Sequence, residues 1–367
     1  MKTSGRIANI FGLFWTLLLT FGPWANETPA AAPDGPMIEL TLHGKSLEGV
    51  PLAWDSDEVH LLGRDGRLWS FSPNEASDFH PSSDEFRPYS PSEFRAALLR
   101  ELGDRYEVGG TGHYLIALPK GQRDQWAERF EDLYRSFIHF FSVRGMSLSS
   151  PLPMVGIVCP NQEEFTRLAT TDGQRPPPGV LGFYDPTTNR INLYDMGGRD
   201  DSYWRENAAV LIHEATHQTA FNTGVHNRYC RPPTWLAEGL AMLFEAPGVY
   251  DSHRFTQPED RVNRDRLQTF RQNVLPHHRP ELLQEIVASD ELFRTNPGAA
   301  YAEAWALSFF LEETAPSKYI AYLKRTAAKP PFHECTPAER IADFTAVFGT
   351  DWRMLDAQFL RFMAAVR

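Results

Sequence analysis

Four side chains with metal and acid–base chemistry fall close together in the second half of the chain. His213, Glu214 and His217 interrupt the run "AVLIHEATHQ", which otherwise has the composition of a buried helix. Residues four apart in an α-helix are separated by about 400° of rotation, so His213 and His217 project from nearly one face, one turn apart. Two imidazoles so placed can reach one metal ion at ~2.0–2.1 Å. Glu214 lies about 100° around from His213. It is not aligned as a third ligand, but it can take a proton from a water that the ion activates. That is the physical content of His-Glu-x-x-His. A catalytic ion of this kind wants three protein ligands and one open position, and Glu238 follows in "PPTWLAEGLAMLFE".

Two helices must bring these groups together. Asp201 or Ser202 can cap a helix over about 202–221 that carries the first three residues. Pro232 and Pro233 end the loop after it, and a second helix over about 234–245 holds Glu238 near its start. Trp235, Leu236, Leu240 and Leu243 give that helix an apolar surface to pack against the first. A structural metal site is usually closed by four protein ligands, and no fourth ligand of matching spacing is present in the sequence.

His213-Glu214-x-x-His217 followed by Trp235-Leu236-x-Glu238-Gly239 resembles the gluzincin metallopeptidases. Within them it resembles the branch that includes M1-type aminopeptidases and uncharacterised secreted bacterial peptidase-MA-like proteins. The resemblance extends more weakly over residues 92–367, through "GFYDPTTNRINLYD", "YAEAWALSFFLEE" and "FTAVFGTDW". It implies an α+β fold, with a small mixed sheet and a mostly helical C-terminal half. It implies Zn2+ as the cofactor, with His213, His217 and Glu238 as ligands. Glu214 becomes the general base and later the acid, and a peptide or protein is the substrate. A further group should stabilise the oxyanion. Tyr301 matches the place of the tyrosine that M1-type enzymes use, and His226, in the loop between the ligand helices, is its rival.

Two departures narrow this reading. A Gly-x-Met-Glu-Asn element, which aminopeptidases use to hold a free amino terminus, is not found, so an endopeptidase is favoured. Met242 stands where the thermolysin-like pattern puts an Asp four residues after the third ligand. The group that should orient a ligand imidazole is therefore open, with Glu245 a candidate by proximity. An edge strand in "GVLGFY" or "RINLYD" could pair with an extended substrate backbone. The alternative function is a catalytically silent exported binding protein that keeps the same fold.

The rest of the chain sets bounds on location and partners. At 42% hydrophobic and 23% charged residues the composition is that of a globular protein. A net charge of −11 with no long Lys/Arg run argues against a nucleic-acid partner. Lys2 and Arg6, the apolar run "IFGLFWTLLLTF" and the small residues of "ANETPAAA" have the grammar of a secretory signal. Cleavage after Ala25, Ala30 or Ala32 would leave a secreted or periplasmic chain with no stable membrane span; an uncleaved anchor is the alternative. Three cysteines, Cys159, Cys230 and Cys335, allow one disulfide and one free thiol, with the pairing open.

Four segments follow: 1–32 as signal and start of the mature chain, 37–72 as a small β unit, 73–91 as a linker, and 92–367 as the peptidase-like domain. Ile38, Leu40 and Leu42 alternate with polar residues, and Asp65-Gly66 marks a hairpin. "PNEASDFHPSSDEFRPYSP" has linker composition. Helices are expected in "SEFRAALLREL" and over 123–141, strands in "YEVGGTGHYLIALP", "MVGIVC" and around the Asp-Pro-x-x-Asn turn, and helices beyond Asp200. His277-His278, between two prolines, reads as an exposed loop.

Overall fold

A computed structural model describes residues 35–122, 124, 126–176, 179–195 and 201–367, with backbone alone for 201–207. The predicted signal segment and the capping side chains of Asp201 and Ser202 lie outside the described residues. The architecture is mixed α and β, with sheets in the N-terminal part and helices after it.

The first sheet has five antiparallel strands in the order β4-β3-β2-β1-β5. They are β1 (Met37–Leu42), β2 (Lys45–Trp54), β3 (Val59–Gly63), β4 (Leu68–Phe71) and β5 (Ala76–Ser83). The alternation in β1 buries Ile38, Leu40 and Leu42 against Val59, Leu61 and Phe71. Asp65-Gly66 turns β3 into β4, with Gly66 at φ 80°, where a side chain would be strained. The stretch read as a linker differs from expectation, because it supplies β5, paired with β1 through an irregular register. Its composition hid it. An edge strand is held by backbone hydrogen bonds along one side and tolerates Pro81, which has no N–H to give.

The second sheet has the order β6-β7-β8-β10-β9. Its strands are β6 (Tyr106–Gly110), β7 (Tyr114–Pro119), β8 (Met154–Cys159), β9 (Gly182–Asp185) and β10 (Arg190–Tyr194). β7, β8 and β10 run parallel, while β6 and β9 are antiparallel edges. Helices cover both faces, so the central strands read as continuous apolar runs. Leu115 and Ala117 face α1 (Pro91–Leu102) and α3 (Gln162–Thr171). Tyr114, Ile116 and Leu118 belong to the opposite core, with α2 (Ala127–Ser142).

The C-terminal half packs α4 (Asp201–Asn222), α5 (Thr234–Phe244), α6 (Pro297–Thr314), α7 (Pro316–Ala327), α8 (Pro337–Phe348) and α9 (Trp352–Ala365) around Trp235, Trp305, Tyr322 and Phe344. The crossing of α5 and α6 is too close for a side chain at Gly239. A Cβ there would stand 2.0 Å from Ser308 Oγ and 2.6 Å from the Ala304 carbonyl oxygen. The β unit braces this assembly. Leu68 N–H donates to Thr187 O at 2.8 Å, and Arg228 donates to Pro186 O at 2.7 Å and also to Gly66 O. Among the described residues no helix is long and apolar enough to cross a membrane.

Candidate metal centre

Helix α4 presents two polar stripes, and each has its own task. Glu214, Gln218 and Asn222 are spaced at one-turn intervals and tie the helix to the second sheet. Glu214 Oε2 accepts the Tyr184 N–H of β9 at 2.7 Å. Gln218 Nε2 donates to Val155 O at 3.1 Å and Asn189 O at 2.8 Å. Asn222 and Asn189 exchange amide hydrogen bonds at 2.9 and 2.7 Å. Asn189 ends the Asp-Pro-x-x-Asn turn at φ 59°, a left-handed conformation that asparagine tolerates. The hairpin β9–β10 is thereby locked to the helix at three successive turns.

The second stripe, His213 and His217, faces α5. The start of α5 follows Pro233, which has no capping side chain, and Asp290 Oδ1 takes the Thr234 N–H at 3.1 Å instead. Arg340 holds that carboxylate at 2.8 Å. Glu238 then projects between the imidazoles. The two Nε2 atoms are 3.1 Å apart, and Glu238 Oε2 lies 3.2 Å from one and 3.5 Å from the other. Glu238 Oε2 is buried, yet it makes no hydrogen bond of acceptable geometry. The three donor atoms face a shared centre.

Those separations fit a divalent ion. In a regular tetrahedron the ligand–ligand edge is about 1.63 times the bond, or roughly 3.3–3.4 Å for Zn–N and Zn–O bonds of ~2.0–2.1 Å. Among the described residues, His213, His217 and Glu238 are the one group of His, Cys, Asp and Glu whose ligating atoms converge in this way. Two neutral imidazoles and a carboxylate are the donor chemistry that zinc takes in catalytic sites.

The carboxylates around the cluster favour positive charge at its centre. Burial opposes charge on His213, but the carboxylates of Glu238 and Glu245, with Glu214 close by, hold its imidazole well above the ordinary value. Burial also opposes charge on Glu238, and His217 and His213 nevertheless hold it well below the usual carboxylate range. Glu214 moves in the other direction. Burial raises it, against the pull of both histidines and the Tyr184 amide. A carboxylate raised in this way is better suited to accept and return a proton.

The orienting group left open by Met242 is Glu245. Its Oε1 accepts from His213 Nδ1 at 2.8 Å, which turns Nε2 toward the centre. Glu245 Oε2 accepts from Asn263 Nδ2 at 2.6 Å, and Arg266 Nε lies 3.7 Å away. Seven residues after Glu238, it returns to the same face of α5, two turns on.

Tyr301, at the start of the second turn of α6, is half-buried. It packs edge-on against Phe293, with ring centroids 5.3 Å apart. Arg266 lies over its ring at 5.7 Å. Burial, with the charges of Glu238 and Glu214, pushes its phenol up to about 12. His226 is 1% exposed. Burial and the neighbouring His217 press it down to about 3, which keeps it neutral. Its depth removes it as a donor to a substrate arriving from solvent. His277 is exposed as expected. His278 is not, because its Nε2 bonds Asp356 Oδ1 at 2.8 Å and its side chain is largely buried. The folding of α9 onto that loop, which no local pattern announces, accounts for the difference.

A family model described as "Protein of unknown function (DUF1570)" matches residues 207–333, a span that includes His213, Glu214, His217, Glu238 and Tyr301. No curated protein matches the chain. Among solved structures the chain is similar to a mutant of an M1 zinc metallopeptidase from Deinococcus radiodurans, at 15% identity and a TM-score of 0.40. That match covers 69% of this chain and 48% of the other, so the chain spans about half the length of that structure.

Proposed function

We propose that this chain is an exported zinc-dependent peptidase that hydrolyses internal bonds of extended peptides. The observation that carries the reading is the convergence of His213, His217 and Glu238 on one centre, with Glu214 beside it on the adjacent stripe. A zinc ion in such a donor set acidifies water and polarises a carbonyl.

The chain's own residues supply the rest. Glu214 accepts the proton of the attacking water and later delivers it to the leaving amine. Its bond to the Tyr184 N–H fixes the carboxylate and sets it next to the edge strand β9. Glu245 orients His213. Tyr301 stays protonated at neutral pH and donates to the developing oxyanion. The N-terminal signal grammar supports export, and the sequence without a Gly-x-Met-Glu-Asn element supports internal cleavage.

A quenched generic peptide, assayed with and without chelator, tests the activity. Glu214→Gln should retain the metal and lose about 10²–10⁴-fold in kcat, the range of general acid–base catalysis. Full activity in that variant would refute the assigned role. Metal without turnover in the native chain would favour a silent binding protein.

A further inference from the structure

The loop between the two ligand helices is stitched to the segment that precedes α8. Phe332 N–H donates to Tyr229 O at 2.5 Å. Asn227 Nδ2 donates to Ala327 O at 3.1 Å and to Lys329 O at 2.8 Å. The Cys230 thiol donates to His333 O at 3.2 Å. Across this seam stands Cys335. Both cysteines line one small cleft with Lys329 and Arg340. The third thiol is remote. Cys159 ends β8 within the other core, beneath Phe165 of α3.

We propose that Cys230 and Cys335 are a modification site that closes to a disulfide when the chain meets a small-molecule disulfide such as oxidised glutathione. All three cysteines are thiols in this structure. Cys335 is the more exposed of the pair, whereas Cys230 is 3% exposed. Cys335 thiolate attacks one sulfur of the reagent and expels one glutathione thiolate. Cys230 then loses its proton and attacks Cys335 Sγ, and the second glutathione leaves. Two protein thiols and one reagent disulfide become one protein disulfide and two reagent thiols, and the two electrons pass to the reagent. Burial pushes the Cys230 thiol up to about 11, so this second, intramolecular step speeds up as the pH is raised.

The bond would pin the loop that buries His226 against the body of the helical half. It would also enclose Glu238, Glu245 and Tyr301 in one covalent loop. The inference does not depend on peptidase activity, because its readouts are covalent and thermal.

The test treats the purified chain with oxidised glutathione, alkylates remaining thiols under denaturing conditions, and maps the digest without reduction. The expected product is a Cys230–Cys335 linked peptide with Cys159 alkylated. The apparent Tm should rise on the order of 5 °C, and the rise should be lost in Cys335→Ser. Three alkylated cysteines, a persistent glutathione adduct on Cys335, or a linkage through Cys159 would each overturn the proposal. The map on the native chain stands even if the serine variant fails to fold.

Discussion

Two buried clusters in the helical half contain the same residue types and behave in opposite ways. One is His213, His217, Glu238 and Glu245. The other is His278, Asp356 and Glu303. In the first, imidazoles flank the carboxylate of Glu238 and hold it ionised well below the usual range. In the second, the histidine's Nε2 is taken by a 2.8 Å bond to Asp356. Glu303 is fully buried, and neither of its oxygens has a hydrogen-bond partner. Burial, with the charge of Asp356, pushes Glu303 up to about 8, so it is mostly protonated at neutral pH. Ligand-type residues and burial therefore do not make a metal site. Donor atoms must converge, and their other faces must be held by further groups, as Glu245 and Asn263 do for His213.

The contrast can be pressed from both sides. Of the tests of this contrast, the largest effect is expected at Tyr301, which feels the charges of Glu238 and Glu214. Tyr301→Phe should lower kcat by about 10²–10³-fold with metal content unchanged, the usual loss for one oxyanion donor. An unchanged kcat would remove Tyr301 from the site chemistry.

The second cluster offers a stability test. The folded-state value of Glu303 is raised from 4.5 to about 8. The folded chain therefore binds this proton more tightly than the unfolded chain. The resulting stability is present in full below the unfolded value and is lost as pH rises toward the folded one. Glu303→Gln removes that dependence. It should match the native chain near pH 4 and exceed it by about 3 kcal/mol at pH 7, taking 1.36 kcal/mol per pH unit. Urea unfolding at several pH values reads this directly, and a variant less stable at pH 7 would show that Glu303 has an ionic role.

The smallest change is in the support of the first cluster. Glu245→Gln should weaken metal binding by about 10–100-fold and leave the fold intact. Competition with a chromogenic chelator measures it, and native affinity in the variant would mean that His213 is oriented by other contacts.

The candidate cluster is more legible in the sequence than its supports are. His213, Glu214, His217 and Glu238 stand at helix spacings that restrict where their side chains can point, and the structure brings the ligating atoms of His213, His217 and Glu238 together. Gln218 and Asn222 carry no comparable signal, although their spacing from Glu214 repeats one helical turn. Nothing local says that the facing surface is a hairpin offering Asn189 and the Tyr184 amide. Glu245 was visible as a neighbour, but its bond to His213 depends on how α4 and α5 cross. Gly239 is explained only by Ser308, far along the chain. The strand β5 was hidden because an edge strand buries too little to leave an apolar pattern. In each case the missing signal lies in a tertiary contact.

The most direct test of the account is the metal content of the purified chain, measured by elemental analysis beside a Glu238→Ala variant of matched fold. The account predicts one zinc per native chain, removable by chelator, and a loss of most of it in the variant. Equal zinc in both proteins, or none in a native chain supplied with zinc, would contradict it.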